Sequence, residues 1–180
     1  MRIAIIGWGS LIWDPRDLEL ASEWQEDGPR LPVEFSRVSE DGRLTLVLTE
    51  GVPEQPTLWA VSARDRLEEV AEDLEAREKC DDPRGVACWP RLAGRSGIRR
   101  YDDVIRNWLD ARNLEGAVWT ALGPKDEHRI RRLASEDERL EYLRRLDRDR
   151  RAAAREYIER APEQIRTPFR DRVRRELGWG

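Results

Sequence analysis

Apolar residues recur along this chain in two rhythms. Ile3 to Ile6 form a short, mostly β-branched run, the pattern of a buried strand. Leu31 to Val38, Arg43 to Thr49 and Thr57 to Ser62 are β-like as well, and Asp41-Gly42 between the first two predicts a hairpin. Glu50 to Pro56, with two prolines and a glycine, reads as a longer turn. The period then changes. Arg64 to Lys79 carries a helical pattern, with Ser62 as an expected N-cap. Tyr101 to Asn113 is also helical, placing Val104, Ile105, Trp108 and Leu109 on one face. Gly116 to Leu122 reads as a strand ended by Gly123-Pro124, and Glu136 to Leu146, Arg151 to Arg160 and Pro168 to Leu177 as helices. Asp17 to Glu26 fits a loop or a short helix, and Cys80 to Arg100, rich in Gly, Pro and Arg, a surface excursion.

The order of strand, hairpin, strand, helices, strand, helices does not alternate as a doubly wound fold would. It predicts an α+β protein whose sheet curls into a small, mostly antiparallel β-barrel with flanking helices. Residues 1–124 form the expected domain, and residues 125–180 a helical C-terminal extension packed on it. The apolar residues Leu140, Leu143, Tyr157, Ile158, Phe169, Val173 and Leu177 equip that tail to cover the domain or a second subunit, so a homo-oligomer is one expected partner arrangement.

Composition changes this picture little. Charged residues make up 39% of 180 positions but nearly cancel to a net −4, and eight tryptophans argue against disorder. Lys125 to the end carries 17 basic and 13 acidic residues, a net of +4, against −8 for the rest. The signs interleave, as in RRLDRDRRAAAREYIER, which favours pairing on solvated helix faces over nucleic-acid binding. Apolar runs are too short for a membrane span, and the apolar run after Met1-Arg2 is too short for a secretory signal. The expectation is a cytoplasmic protein with no nucleic-acid or membrane partner.

The stretch IAIIGWGSLIWDP breaks its apolar run at Gly7, Gly9 and Ser10, where backbone must bend or approach something closely. A dinucleotide fingerprint fails, because its third glycine position is Ile12 and Asp14-Pro15 interrupts any helix. No Lys-Ser/Thr follows to make a P-loop. Cys80, Cys88 and the one histidine, His128, do not supply a zinc site, and His128 sits in a polar stretch that reads as solvated. The cysteines read as reduced, partly buried thiols. No metal or cofactor is expected, so carboxylates and backbone groups are left to carry any chemistry.

One carboxylate is out of place. Leu67, Val70, Ala71 and Leu74 form a single stripe, and Glu78, eleven positions after Leu67, falls about 20° from it on a helical wheel. Five other acidic residues of this helix point away or sit at the edge of the stripe. Either the helix frays before Glu78, which then reaches water, or a carboxylate faces a cavity where desolvation suits it to acid–base work.

The strand followed by G-W-G-S-L-I-W, with L-E-A-R-E at the end of a later helix, resembles the γ-glutamylcyclotransferase superfamily, and within it the ChaC-type branch. That branch carries G-Y-G-S-L-x-W-x-P and L-D-x-R-E. Gly7, Gly9, Ser10, Leu11, Trp13 and Pro15 match the first pattern, and Leu74, Arg77 and Glu78 the second. Trp8 stands where the family has tyrosine, and residues 80–100 have no obvious counterpart. The resemblance implies a barrel of γ-glutamylcyclotransferase type. It also implies a cofactor-independent enzyme that cyclises a γ-glutamyl amide to 5-oxoproline and releases an amine or amino acid. Glu78 would be its general acid and base, and Gly7, Trp8, Gly9, Ser10 and Leu11 its substrate-binding loop. For Ser10 a turn-stabilising hydroxyl is an equal alternative, and for Trp8 and Trp13 core packing is favoured over substrate contact. A non-catalytic member that binds a small ligand, or an interaction protein, is the competing expectation.

Overall fold

The computed structural model describes residues 1–80, 82–93, 99–123 and 135–179. They form an α+β protein. Its strands are β1 (Ile3–Gly7), β2 (Arg30–Leu31), β3 (Val33–Val38), β4 (Leu44–Leu48), β5 (Gln55–Pro56), β6 (Leu58–Val61), β7 (Val86–Trp89) and β8 (Gly116–Thr120). Its helices are α1 (Leu67–Glu78), α2 (Asp102–Asp110), α3 (Glu136–Arg145), α4 (Arg148–Arg160) and α5 (Pro168–Leu177). Two compact units interleave along the chain, where the sequence suggests one boundary after residue 124. The first gathers Met1–Gly7, Asp14–Leu31 and Pro56–Leu122; the second gathers Trp8–Trp13, Pro32–Gln55 and Gly123–Gly180.

The first unit is built on a four-stranded sheet in the order β6-β1-β8-β7. β1 runs antiparallel to β6 and parallel to β8, and β7 is antiparallel to β8. All five residues of β1 are buried, which explains its uninterrupted apolar run in the centre of the sheet. Paired residues share a face, so Ile6, Trp59, Trp119 and Ala87 stand together on one side. On that side Trp59 meets Trp108 of α2 edge-on, with ring centroids 5.2 Å apart. α1 covers the opposite side: a Cβ on Gly116 would stand 3.3 Å from Leu67 Cδ1. Leu67, Val70, Ala71 and Leu74 are buried there, as the stripe predicts.

The second unit holds the β3–β4 hairpin, whose turn has Gly42 at φ 85°, in agreement with the Asp41-Gly42 signal. Its register shifts between Phe35 and Arg37, a β-bulge. α4 packs on β4 and α5 on β3. Leu140, Leu143, Tyr157, Ile158, Phe169 and Val173 are all buried. α3 opens with a capping box between Ser135 and Glu138, α4 is capped by Asp147 and α5 by Thr167 before Pro168.

Several expectations are corrected. No sheet among the described residues closes into a barrel: β6 and β7 end the four-stranded sheet, and the β3–β4 pair belongs to the other unit. Of the two expectations for Asp17 to Glu26, the loop holds and the helix does not, with Leu20 and Gln25 making bridges to Ser62 and Trp59. Ser62 does not cap α1, which begins after Arg66 without a side-chain cap. Its hydroxyl instead accepts from the Arg64 N–H at 3.1 Å. Residues 80–100 are not only a surface excursion, because β7 joins the sheet with Val86, Ala87 and Cys88 buried. Val104 is 40% exposed, while Ile105, Trp108 and Leu109 face inward. Pro124 and His128 lie outside the described residues. No helix among those described is long and apolar enough to cross a membrane.

Candidate functional site

Glu78 is the last residue of α1, so the helix does not fray before it. The stop is local. Lys79 turns into the left-handed region at φ 53°. There its N–H donates to the Ala76 carbonyl, while the Cys80 N–H donates to the Glu75 carbonyl. The Glu78 side chain is 17% exposed, which makes it a half-buried carboxylate with a route to solvent.

Arg77 beside it is 5% exposed, and its Nη1 donates to Glu78 Oε1 at 2.6 Å. Its Nε and Nη2 both donate to the Asp14 carbonyl, at 3.1 and 2.6 Å. Arg16, itself at φ 55°, donates from Nη1 to the Arg77 carbonyl at 2.6 Å. The first unit thus joins the end of α1 to the turn at Asp14–Arg16 through two arginines. Sequence reasoning used Arg77 only as a motif match. Its place at the margin of the apolar stripe was the available signal that it is buried.

Gly7 closes β1 in the same unit as Glu78, whereas Trp8, Gly9, Ser10 and Leu11 belong to the second unit. The Ile12 N–H donates to the Gly9 carbonyl at 3.0 Å, which makes Gly9–Ile12 a tight turn with Ser10 and Leu11 at its centre. Neither Gly7 nor Gly9 adopts a positive φ. Gly9 is required by closeness instead, because a Cβ there would meet the Tyr157 hydroxyl. Trp8 is 3% exposed and its indole N–H donates to the Leu46 carbonyl at 3.2 Å, so it is a core residue of its unit. Leu11 is buried and Ser10 half-buried. Trp13 meets the Tyr157 ring edge-on at 5.3 Å, and the Arg160 guanidinium lies over the Trp13 ring, 5.5 Å from its centroid.

A second carboxylate was not singled out by the sequence. Glu34 in β3 is 1% exposed. It accepts from the Phe35 N–H at 2.8 Å and the Phe169 N–H at 3.4 Å, and bonds the Thr167 hydroxyl that caps α5. Burial pushes its carboxyl above the ordinary value, opposed by these bonds and by the Arg139 charge. Arg139 lies over the Phe169 ring and donates to the Phe35 carbonyl at 3.2 Å. These partners bind hairpin to helices, and their chemistry is structural.

Cys80 is half-buried and Cys88 buried, and neither is in a disulfide. No group of three or more His, Cys, Asp or Glu among the described residues is arranged to hold a metal ion. No protein-family model, no curated protein and no solved structure matches this chain.

Proposed function

We propose that this protein is a γ-glutamylcyclotransferase-like enzyme acting on a γ-glutamyl amide, with Glu78 as general acid and base. The observation that carries the reading is the half-buried carboxylate at the end of α1, ion-paired to a buried arginine, in the motif L-E-A-R-E. In this reaction the substrate's α-amino nitrogen attacks its own γ-carbonyl carbon. A C–N bond forms to give 5-oxoproline as the γ-amide C–N bond breaks. Both protons surrendered by the α-ammonium end on the leaving nitrogen, which departs as an ammonium, so protons balance without water. A carboxylate that takes a proton from one nitrogen and returns it to the other serves both halves. The nucleophile belongs to the substrate, so no serine, cysteine, metal or cofactor is called on.

A second reading, a non-catalytic ligand-binding or interaction protein, is favoured by the burial of Trp8 and by the Tyr157 contact, which accounts for Gly9 without a ligand. A panel of γ-glutamyl amino acids, amines and peptides separates the two. The expected result is 5-oxoproline release by the natural sequence and its loss in Glu78→Gln at unchanged melting temperature. Turnover by Glu78→Gln near that of the natural sequence removes Glu78 from the chemistry.

A further inference from the structure

We propose that Arg77 is the positioning residue for Glu78, a fork clamped on the Asp14 carbonyl that fixes where the carboxylate stands. The inference rests on the assignment of Glu78 above and adds a residue that works through it.

Neighbouring residues of a helix point about 100° apart, and their side chains do not ordinarily meet. Arg77 and Glu78 nevertheless touch at 2.6 Å. The contact follows from what holds the guanidinium. Nε and Nη2 both donate to the Asp14 carbonyl, at 3.1 and 2.6 Å, which orients the planar group and directs Nη1 at Glu78 Oε1. The Arg77 backbone is held in turn, because its carbonyl accepts from Arg16 Nη1 at 2.6 Å. A glutamate at a helix terminus otherwise samples several staggered rotamers with its head in water. The arginine removes that freedom before substrate arrives, which is the preorganisation that proton transfer requires. Lysine carries the same charge but has no fork with which to hold Asp14 and Glu78 together.

Two measurements on Arg77→Lys test this, with Arg77→Gln as the second variant if the lysine form does not fold. The first is a crystal structure of the variant beside that of the natural sequence, which needs no substrate. The Glu78 carboxylate is expected to leave its position for another rotamer; a carboxylate that stays where it is overturns the proposal. The second is steady-state kinetics on the γ-glutamyl panel. The expected change is a fall in kcat of roughly ten- to a hundredfold, with KM within about twofold and a folded fraction equal to that of the natural sequence. An unchanged kcat in a folded variant overturns the proposal. A natural sequence that turns over nothing on the panel sinks the cyclotransferase reading instead, and the carboxylate's displacement then decides for or against Arg77.

Discussion

A Cβ placed on Gly9 would collide with the hydroxyl oxygen of Tyr157, with the ring carbon behind that oxygen 3.6 Å away. The two residues are far apart in sequence, yet one atom of Tyr157 accounts for the absence of a side chain at Gly9. Tyr157 is 4% exposed, and its hydroxyl lies 3.4 Å from the Leu46 N–H that donates to it. It therefore has little room to yield.

The first prediction uses that single atom. Gly9→Ala is expected to destabilise the protein by about 1–3 kcal/mol, the usual cost of overpacking. Tyr157→Phe alone costs about 1 kcal/mol through the lost hydrogen bond. Joined, the two should be less harmful than their sum, because removing the hydroxyl leaves an ordinary 3.6 Å contact. Denaturant unfolding of the two singles and the double gives the coupling energy; strict additivity would show that the alanine methyl does not meet Tyr157.

Glu34 makes a prediction about pH. Its folded value is raised above the ordinary 4.5 by burial. The folded state therefore binds this proton more tightly than the unfolded chain does. The resulting stability is complete below 4.5 and is lost as the pH rises through the higher folded value. Glu34→Gln keeps one acceptor oxygen, enough for the Phe35 or the Phe169 N–H but not both, and it cannot ionise. The difference in unfolding free energy between Glu34→Gln and the natural sequence should shift in favour of the glutamine as the pH climbs above 4.5. A difference that does not vary with pH would mean that Glu34 titrates alike in both states.

Asp27 has the opposite sign. The Trp59 indole N–H, 2.8 Å away, and then the Arg112 guanidinium hold its carboxyl below the ordinary 3.8. Its contribution is present above 3.8 and disappears as the pH falls through the lower folded value. Asp27→Asn keeps an acceptor but drops the charge opposite Arg112. The variant should melt somewhat lower than the natural sequence at neutral pH and converge with it in acid. A gap that persists at low pH would assign the loss to packing around Trp59 and Trp108.

The tail helices supply a fourth test. α4 and α5 pack on the β3–β4 pair, with Ile158, Phe169 and Val173 fully buried. A chain cut after Gly123 should expose this apolar surface and aggregate or bind a hydrophobic dye. The intact protein should show no duplex-DNA affinity with the steep salt dependence that phosphate contacts produce, a slope near 0.9 per phosphate neutralised. A soluble, folded truncation together with salt-sensitive DNA binding by the full chain would make the tail a nucleic-acid arm.

How much was legible follows from how local each signal is. The tail helices repeat their apolar positions every three to four residues and carry their own caps at Ser135, Asp147 and Thr167, so their observed limits lie close to the expected ones. The Asp41-Gly42 turn needs a residue at positive φ, and Gly42 provides it. The stripe on α1 also comes from spacing alone, whereas Glu78, which the wheel sets within that stripe, ends the helix half-buried.

The remaining features were decided by distant partners. β7 is a four-residue run among Gly, Pro and Arg, and it is a strand because β8 offers an edge to pair with. Val104 stays exposed because a helix wheel states which residues share a face but not how wide a strip the neighbouring sheet will cover. Arg77 is buried by a carbonyl 63 residues away, and Gly9 is constrained by a hydroxyl on α4. Periodicity and turn chemistry act within a few residues, so the sequence alone determined the helices, the hairpin and the apolar stripe of α1. Strand order, burial and the Arg77–Glu78 contact arise from long-range packing, where each residue's role depends on which surface the rest of the chain brings to it.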